Sequence, residues 1–132
     1  MDKVRKVCVI DDGDIYQFLL NKELKSTQIV DKILVFSDGA KALEFMTQVK
    51  DTPEELPDII FLDVNMPVMN KWEFLDEFIL LRPRLSKGIV ILIVSSSFDK
   101  RDIERAKQYA EVSDYIIKPV TRSNLVNVLR TI

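Results

Sequence analysis

Asp11, Asp12, Asp63, Ser95 and Lys118 are the residues of this sequence whose types and spacing could do chemistry together. Each stands at the end of an apolar run: Asp11-Asp12 after Val4 to Ile10, Asp63 after Ile59-Ile60-Phe61-Leu62, Ser95 after Ile89 to Val94, and Lys118 after Tyr115-Ile116-Ile117. Carboxylates gathered at one place repel one another, an arrangement tolerated where a hard cation is bound. Magnesium suits such a set, because it prefers oxygen ligands and is held by one or two carboxylates together with phosphate oxygens. Lys118 would bring a compact positive charge to one phosphate oxygen, and the Ser95 hydroxyl a hydrogen bond to another. Asp63 is left as the nucleophile, and carboxylate attack on phosphorus gives an aspartyl phosphate. The sequence has no histidine, which removes imidazole bases, Ser-His triads and histidine metal sites. Its single cysteine, Cys8, lies inside the first apolar run and reads as a core residue, leaving no disulfide framework and no thiolate metal site.

For these residues to meet, the apolar runs must be strands of one sheet. Five such runs alternate with segments of helical period, the pattern of βαβ units on a parallel sheet. After the first run, Ile15, Phe18, Leu19 and Leu24 recur at helical spacing and mark a first helix. A second run, Lys32 to Phe36, breaks at Ser37-Asp38-Gly39, and Ala42, Leu43, Met46 and Val49 mark one face of a second helix. Ile59 to Leu62 is continuously apolar, as expected of a central strand covered on both faces. Trp72, Leu75, Phe78 and Ile79 predict one side of a third helix that stops before Pro83. Asp99 can cap a fourth helix carrying Ile103, Ala106 and Ala110, and Thr121 a fifth with the stripe Leu125, Val128, Leu129 and Ile132. The expected fold is α/β, doubly wound and flavodoxin-like: a five-stranded parallel sheet in the order 2-1-3-4-5 with five helices, one domain over residues 1–132. Sheets of this kind bind ligands at the carboxyl ends of their strands, where the residues above stand.

The 132 residues suit one core, and 47% apolar with 30% charged residues is the balance of a globular chain. A net charge of −2 supplies no positive field to draw the chain onto nucleic acid or anionic membrane, so a DNA-binding role would need another chain. No apolar stretch approaches the roughly 18 residues of a membrane span, and Met1 is followed by Asp2 and Lys3 rather than an apolar leader. A cytoplasmic setting is expected.

In order and kind these motifs resemble the receiver domains of bacterial response regulators, with the single-domain chemotaxis regulators as the nearest type, and the likeness runs over essentially the whole chain. Asp11-Asp12 is similar to the family's acidic pair, Asp63 in Phe61-Leu62-Asp63-Val64-Asn65-Met66-Pro67 to its phosphoacceptor, and Lys118-Pro119 to its lysine-proline. Ser95 falls at the hydroxyl position and Tyr115 at the switch aromatic. The resemblance implies Mg2+ held by the side chains of Asp12 and Asp63 and the backbone carbonyl of Asn65, with Asp11 assisting through water. It implies a cis bond between Lys118 and Pro119, and tuning of phosphate hydrolysis by Asn65 and Ser97. A histidine kinase or histidine phosphotransfer protein would supply the phosphoryl group. Phosphorylation would draw Ser95 to the phosphate, let Tyr115 turn inward, and remodel the face of the fourth helix, fifth strand and fifth helix for a downstream protein target or a homodimer. Such a chain is a signalling switch that assists its own phosphorylation and dephosphorylation rather than an enzyme acting on others. With no effector attached in these residues, output would pass through protein contacts, unless the chain is cut from a longer regulator.

Two positions depart from the pattern. Lys71 stands where the family usually has glycine, which bears on packing at the turn into the third helix, and Gly13 where relatives often carry a third acidic residue. Singly, each feature has a plainer reading: Asp-Asp-Gly is an ordinary turn, Lys-Pro an ordinary strand exit, and Tyr115 an edge aromatic. Their joint placement at four strand ends in order favours the site. Asp12-Gly13-Asp14 also resembles the nucleophile motif of haloacid-dehalogenase-type phosphatases, but Tyr16 occupies the position where that motif wants Thr or Val. A receiver-like module that never sees phosphate and a flavodoxin-like cofactor binder are the binding-class alternatives. Intact Asp12, Asp63, Ser95 and Lys118 speak against the first. The loop after the first strand lacks the Ser/Thr/Gly richness the second would favour. The charges from Lys100 to Gln108 read as a solvated helix face.

Overall fold

Ile59, Ile60, Phe61 and Leu62 are wholly buried because the strand they form lies mid-sheet with helices over both faces. The computed structural model describes residues 5–63, 71–95, 99–118 and 120–131. Its strands are β1 (Arg5–Ile10), β2 (Val30–Phe36), β3 (Ile59–Asp63), β4 (Val90–Ser95) and β5 (Val112–Ile117). They alternate with helices α1 (Asp14–Ser26), α2 (Gly39–Gln48), α3 (Lys71–Leu81), α4 (Lys100–Ala106) and α5 (Arg122–Thr131), with a 3-10 turn at Arg82–Arg84 after α3. All pairings are parallel and the order is β2-β1-β3-β4-β5, as expected.

Alternation along each strand divides the core in two. Cys8, Ile10, Ile60, Leu62, Ile91 and Ile93 point to one face, where Ala42 and Met46 of α2, Phe74, Leu75 and Phe78 of α3, and Ala106 of α4 cover them. Val7, Val9, Ile59, Phe61, Leu92 and Val94 point to the other, under Leu20 and Leu24 of α1 and Leu125 and Leu129 of α5.

Helix starts follow their caps. Asp38 accepts from Lys41 N at 2.8 Å and opens α2; Asp99 accepts from Arg101 N at 2.9 Å and opens α4; Thr121 Oγ1 accepts from Asn124 N at 3.1 Å ahead of α5. The strands β2 and β5 begin earlier than their apolar runs, at Val30 and Val112. Ladder hydrogen bonds, rather than apolar content, set those ends. Helix α4 stops at Ala106, leaving Ala110 outside it and exposed. In α3 the inward side is Phe74, Leu75, Phe78 and Leu81, whereas Ile79 is exposed and Trp72 half-buried.

Helix α1 departs most from its sequence pattern. Ile15, Phe18 and Leu19 are 73%, 67% and 49% exposed; of the expected stripe only Leu24 is buried, and Leu20 packs beside it. The first turn sets this phase. Gln17 N donates to Gly13 O at 2.9 Å, and the Gln17 side-chain amide donates to the Asp11 carbonyl, tying position 17 inward and turning 15, 18 and 19 out.

Candidate functional site

Strand register brings the predicted residues together. Ile10 pairs with Leu62, so Asp11 follows beside Asp63; Asp63 pairs with Val94, one residue short of Ser95; Ser95 pairs with Ile117, one residue short of Lys118. Each chemically useful residue thus stands at, or one step past, the carboxyl end of its strand. Backbone bonds hold the corner: Asp11 N donates to Phe36 O at 3.1 Å and Lys118 N to Ser95 O at 2.7 Å.

Carboxylate oxygens of Asp11, Asp12 and Asp63 lie within 4.8 Å of one another. Asp11 is the buried member, 3% exposed, while Asp12 is open to solvent. Burial pushes the Asp11 carboxyl above the usual carboxylate range, with the charge of Asp63 adding to this; the Gly13 N–H at 2.8 Å and Lys118 pull the other way. The Lys118 ammonium bridges the pair, 3.1 Å from Asp63 Oδ1 and 3.6 Å from Asp11 Oδ2. These are all hard oxygen donors carrying more negative charge than one lysine offsets, a set that fits a divalent cation such as Mg2+.

Ser95 is buried at the end of β4. The Tyr115 hydroxyl is also buried, with no hydrogen-bond partner among the described residues. Burial raises its pKa, and the nearby Ser95 hydroxyl acts in the opposite sense. The side chain as a whole is half-buried against the core. Asn65, Ser97 and the Lys118-Pro119 bond, each assigned a role by resemblance, lie outside the described residues.

Two participants escape sequence reasoning. The ring of Tyr16 faces the Lys118 ammonium, whose nitrogen is 3.8 Å from the ring centroid. Lys71, which stands where the family usually has glycine, is the buried first residue of α3 and pairs with Asp102 at 3.3 Å; the turn that leads into it lies outside the described residues. An aromatic one turn into an amphipathic helix gives no sign of which strand end it will cover. The only hint for Lys71 is its place between Asn70 and Trp72 ahead of an apolar stripe.

Residues 7–130 match the family described as the response regulator receiver domain. The chain belongs to that family. The likeness extends to structure: a two-component response regulator from Cytophaga hutchinsonii is 32% identical, with a TM-score of 0.87 over 98% of this chain and 96% of that one. The phosphorylated cyanobacterial phytochrome response regulator RcpA is 25% identical, with a TM-score of 0.75 over 97% of this chain and 90% of that one. Among curated relatives, protein-glutamate methylesterase/protein-glutamine glutaminase 3 of Burkholderia thailandensis is 30% identical over 86% of this chain. The match spans only 29% of that relative's length. Membership displaces the phosphatase and flavin-binding alternatives, and makes this domain a signalling switch of the two-component type. No helix among the described residues is long and apolar enough to cross a membrane.

Proposed function

We propose that the chain is a phosphoacceptor: Asp63 takes a phosphoryl group from a phosphohistidine on a histidine kinase or phosphotransfer protein, in a reaction that requires Mg2+. The observation that carries this reading is the Lys118 ammonium held between Asp63 Oδ1 and Asp11 Oδ2, a cation already placed where phosphoryl oxygens would sit. An oxygen of Asp63 attacks phosphorus in line, the N–P bond of the donor breaks, and the imidazole leaves. Lys118 follows the phosphoryl oxygens, and Ser95, next along the strand ends, reaches another of them. Asp11, Asp12 and Asp63 would hold the metal, with the Asn65 carbonyl as the remaining protein ligand; it would supply charge to the equatorial oxygens.

A protein donor with an apolar surface fits the exposed residues of α1. Ile15, Phe18 and Leu19 form an exposed apolar face on α1, immediately after the acidic loop, and a monomer exposes such a patch where another protein docks. Output would pass through the face of α4, β5 and α5, where Ser95 and Tyr115 link the phosphate to the surface for a downstream target or a second copy. The chain acts on itself rather than on a separate substrate, and a cytoplasmic setting fits this chemistry. Hydrolysis of the phosphate would be tuned by Asn65 and Ser97.

Intact mass after treatment with acetyl phosphate, with and without magnesium, tests the reading. A magnesium-dependent gain of one phosphoryl group, absent from Asp63→Asn, is expected. No adduct on the wild-type chain would favour a phosphate-independent module, and label surviving in Asp63→Asn would move the nucleophile elsewhere.

A further inference from the structure

We infer that Tyr16 is a positioning residue for phosphoryl transfer: its ring face holds the Lys118 ammonium against the phosphoacceptor. The inference rests on the phosphoacceptor reading of Asp63 and adds a group that reading does not use.

Lys118 has a flexible four-carbon stem and an ammonium with three N–H donors, so its useful position must be imposed from outside. The side chain is 11% exposed, and three groups surround the nitrogen: Asp63 Oδ1 at 3.1 Å, Asp11 Oδ2 at 3.6 Å and the Tyr16 ring centroid at 3.8 Å. The two carboxylates lie toward the sheet. The ring comes from the first turn of α1 and is itself 50% exposed, so it closes the solvent side. A phosphoryl group on Asp63 changes what the carboxylates offer the lysine, whereas the ring face is the same before and after transfer. The aromatic contact is therefore the constant partner, the one that keeps the ammonium near the phosphorus when the Asp63 carboxylate becomes an acyl phosphate.

Gly13 supports this assignment. Its backbone, φ −95° and ψ 116°, is extended and open to any residue, so conformation does not require glycine. Space favours it: a Cβ there would lie 3.3 Å from Tyr16 Cδ2 and 3.4 Å from Asp11 Oδ1, so the ring would have to give by a few tenths of an ångström. The missing side chain at position 13, where an acidic residue would also have competed for Lys118, leaves room for the ring at position 16. Tyr16, Asp11, Lys118 and Leu19 then line one cleft of about 250 Å³.

The test uses acetyl phosphate, which is too small to depend on docking against α1. At saturating magnesium, Tyr16→Leu and Tyr16→Gln should slow formation of the aspartyl phosphate about fivefold, the size expected of a cation–π contact at this exposure. Tyr16→Phe keeps the ring face and should bring the rate back to within about twofold of wild type. In the unphosphorylated protein, the Lys118 ε-methylene protons should show an upfield ring-current shift in wild type and Tyr16→Phe, lost in Tyr16→Leu and Tyr16→Gln. Two ringless variants are made so that a folding failure in one leaves the other readable. Ringless variants that react at the wild-type rate, or a Tyr16→Phe as slow as they are, would overturn the inference alone. A wild-type chain that takes no phosphoryl group would overturn it together with the phosphoacceptor reading.

Discussion

The buried ammonium of Lys71 at the start of α3 lies 3.3 Å from Asp102 Oδ2 on α4 and 4.7 Å from the centre of the Trp72 ring. Arg105 of α4 sits over the same ring at 4.5 Å, Tyr109 stacks on it at 5.9 Å, and the Tyr109 hydroxyl donates to Asp76 at 2.8 Å. Together these contacts latch α4 to α3. Removing Asp102 strands a charge that has left water, so Asp102→Asn should lose about 1–2 kcal/mol, discounted because the Asp102 side chain is 30% exposed. Lys71→Met removes the charge and keeps the volume, and in the Asp102→Asn background should restore most of the loss. Urea denaturation of the two single variants and the double variant gives the coupling directly; additive effects would mean that the pair is not coupled.

The acidic corner was readable in the sequence because every member ends a strand. An apolar run fixes where a strand stops, and in a parallel sheet the stops are neighbours, so Asp11, Asp63, Ser95 and Lys118 needed only the strand order to be brought together. The facing of α1 was readable only at Leu24, since Ile15, Phe18 and Leu19 extend an apolar stripe that leaves out Leu20, and the deciding contacts involve polar Gln17. Lys71 and Tyr16 were missed for a related reason. Their partners, Asp102 and Lys118, are brought to them by tertiary structure, and no local spacing encodes the pairing.

Cys8 supplies a pH dependence whose sign is fixed. Burial pushes its thiol far above the ordinary value of 9.0, so the folded chain keeps the proton when the unfolded chain gives it up. The unfolded state then binds fewer protons, and stability falls as pH rises above about 9, by about 1.4 kcal/mol per pH unit from this one group. Cys8→Ala should be less stable at neutral pH by about 1 kcal/mol, through lost packing, yet show a shallower decline above about pH 9. Parallel slopes for the two proteins in urea titrations would rule out a shifted thiol.

Tyr115→Phe should stabilise the unphosphorylated protein. The hydroxyl is buried without a partner among the described residues, and deleting an unsatisfied polar atom recovers its desolvation cost, about 1 kcal/mol. A midpoint raised by roughly 4 °C in thermal unfolding corresponds to that amount for a domain of this size. A lowered midpoint would mean that the hydroxyl has a partner.

Lys118 competes with any cation for the same carboxylates, being 3.1 Å from Asp63 Oδ1 and 3.6 Å from Asp11 Oδ2. Lys118→Ala should therefore bind Mg2+ more tightly, by about tenfold, even as acetyl phosphate labels it more slowly. Tighter binding appears as a larger rise of the thermal midpoint at a given magnesium concentration, because a ligand that binds only the folded state adds stability with the logarithm of its saturation. Asp63→Asn should show little or no rise. Magnesium binding weakened by Lys118→Ala would make the lysine a support for the metal site instead of a rival.

If the donor docks on the exposed face of α1, as proposed, chemistry and docking are separable there. Phe18 is 67% exposed and covers no part of the core, so Phe18→Asp should leave the thermal midpoint within a degree or two and the acetyl phosphate reaction intact. Transfer from a histidine phosphotransfer protein that loads the wild-type chain should fall at least tenfold, since an aromatic anchor at the centre of an interface carries more than about 1.4 kcal/mol. The loss should lie in kcat/KM and lessen at high donor concentration. Equal losses with both phosphodonors would put Phe18 in the reaction itself, and no loss with either would move the docking surface off α1.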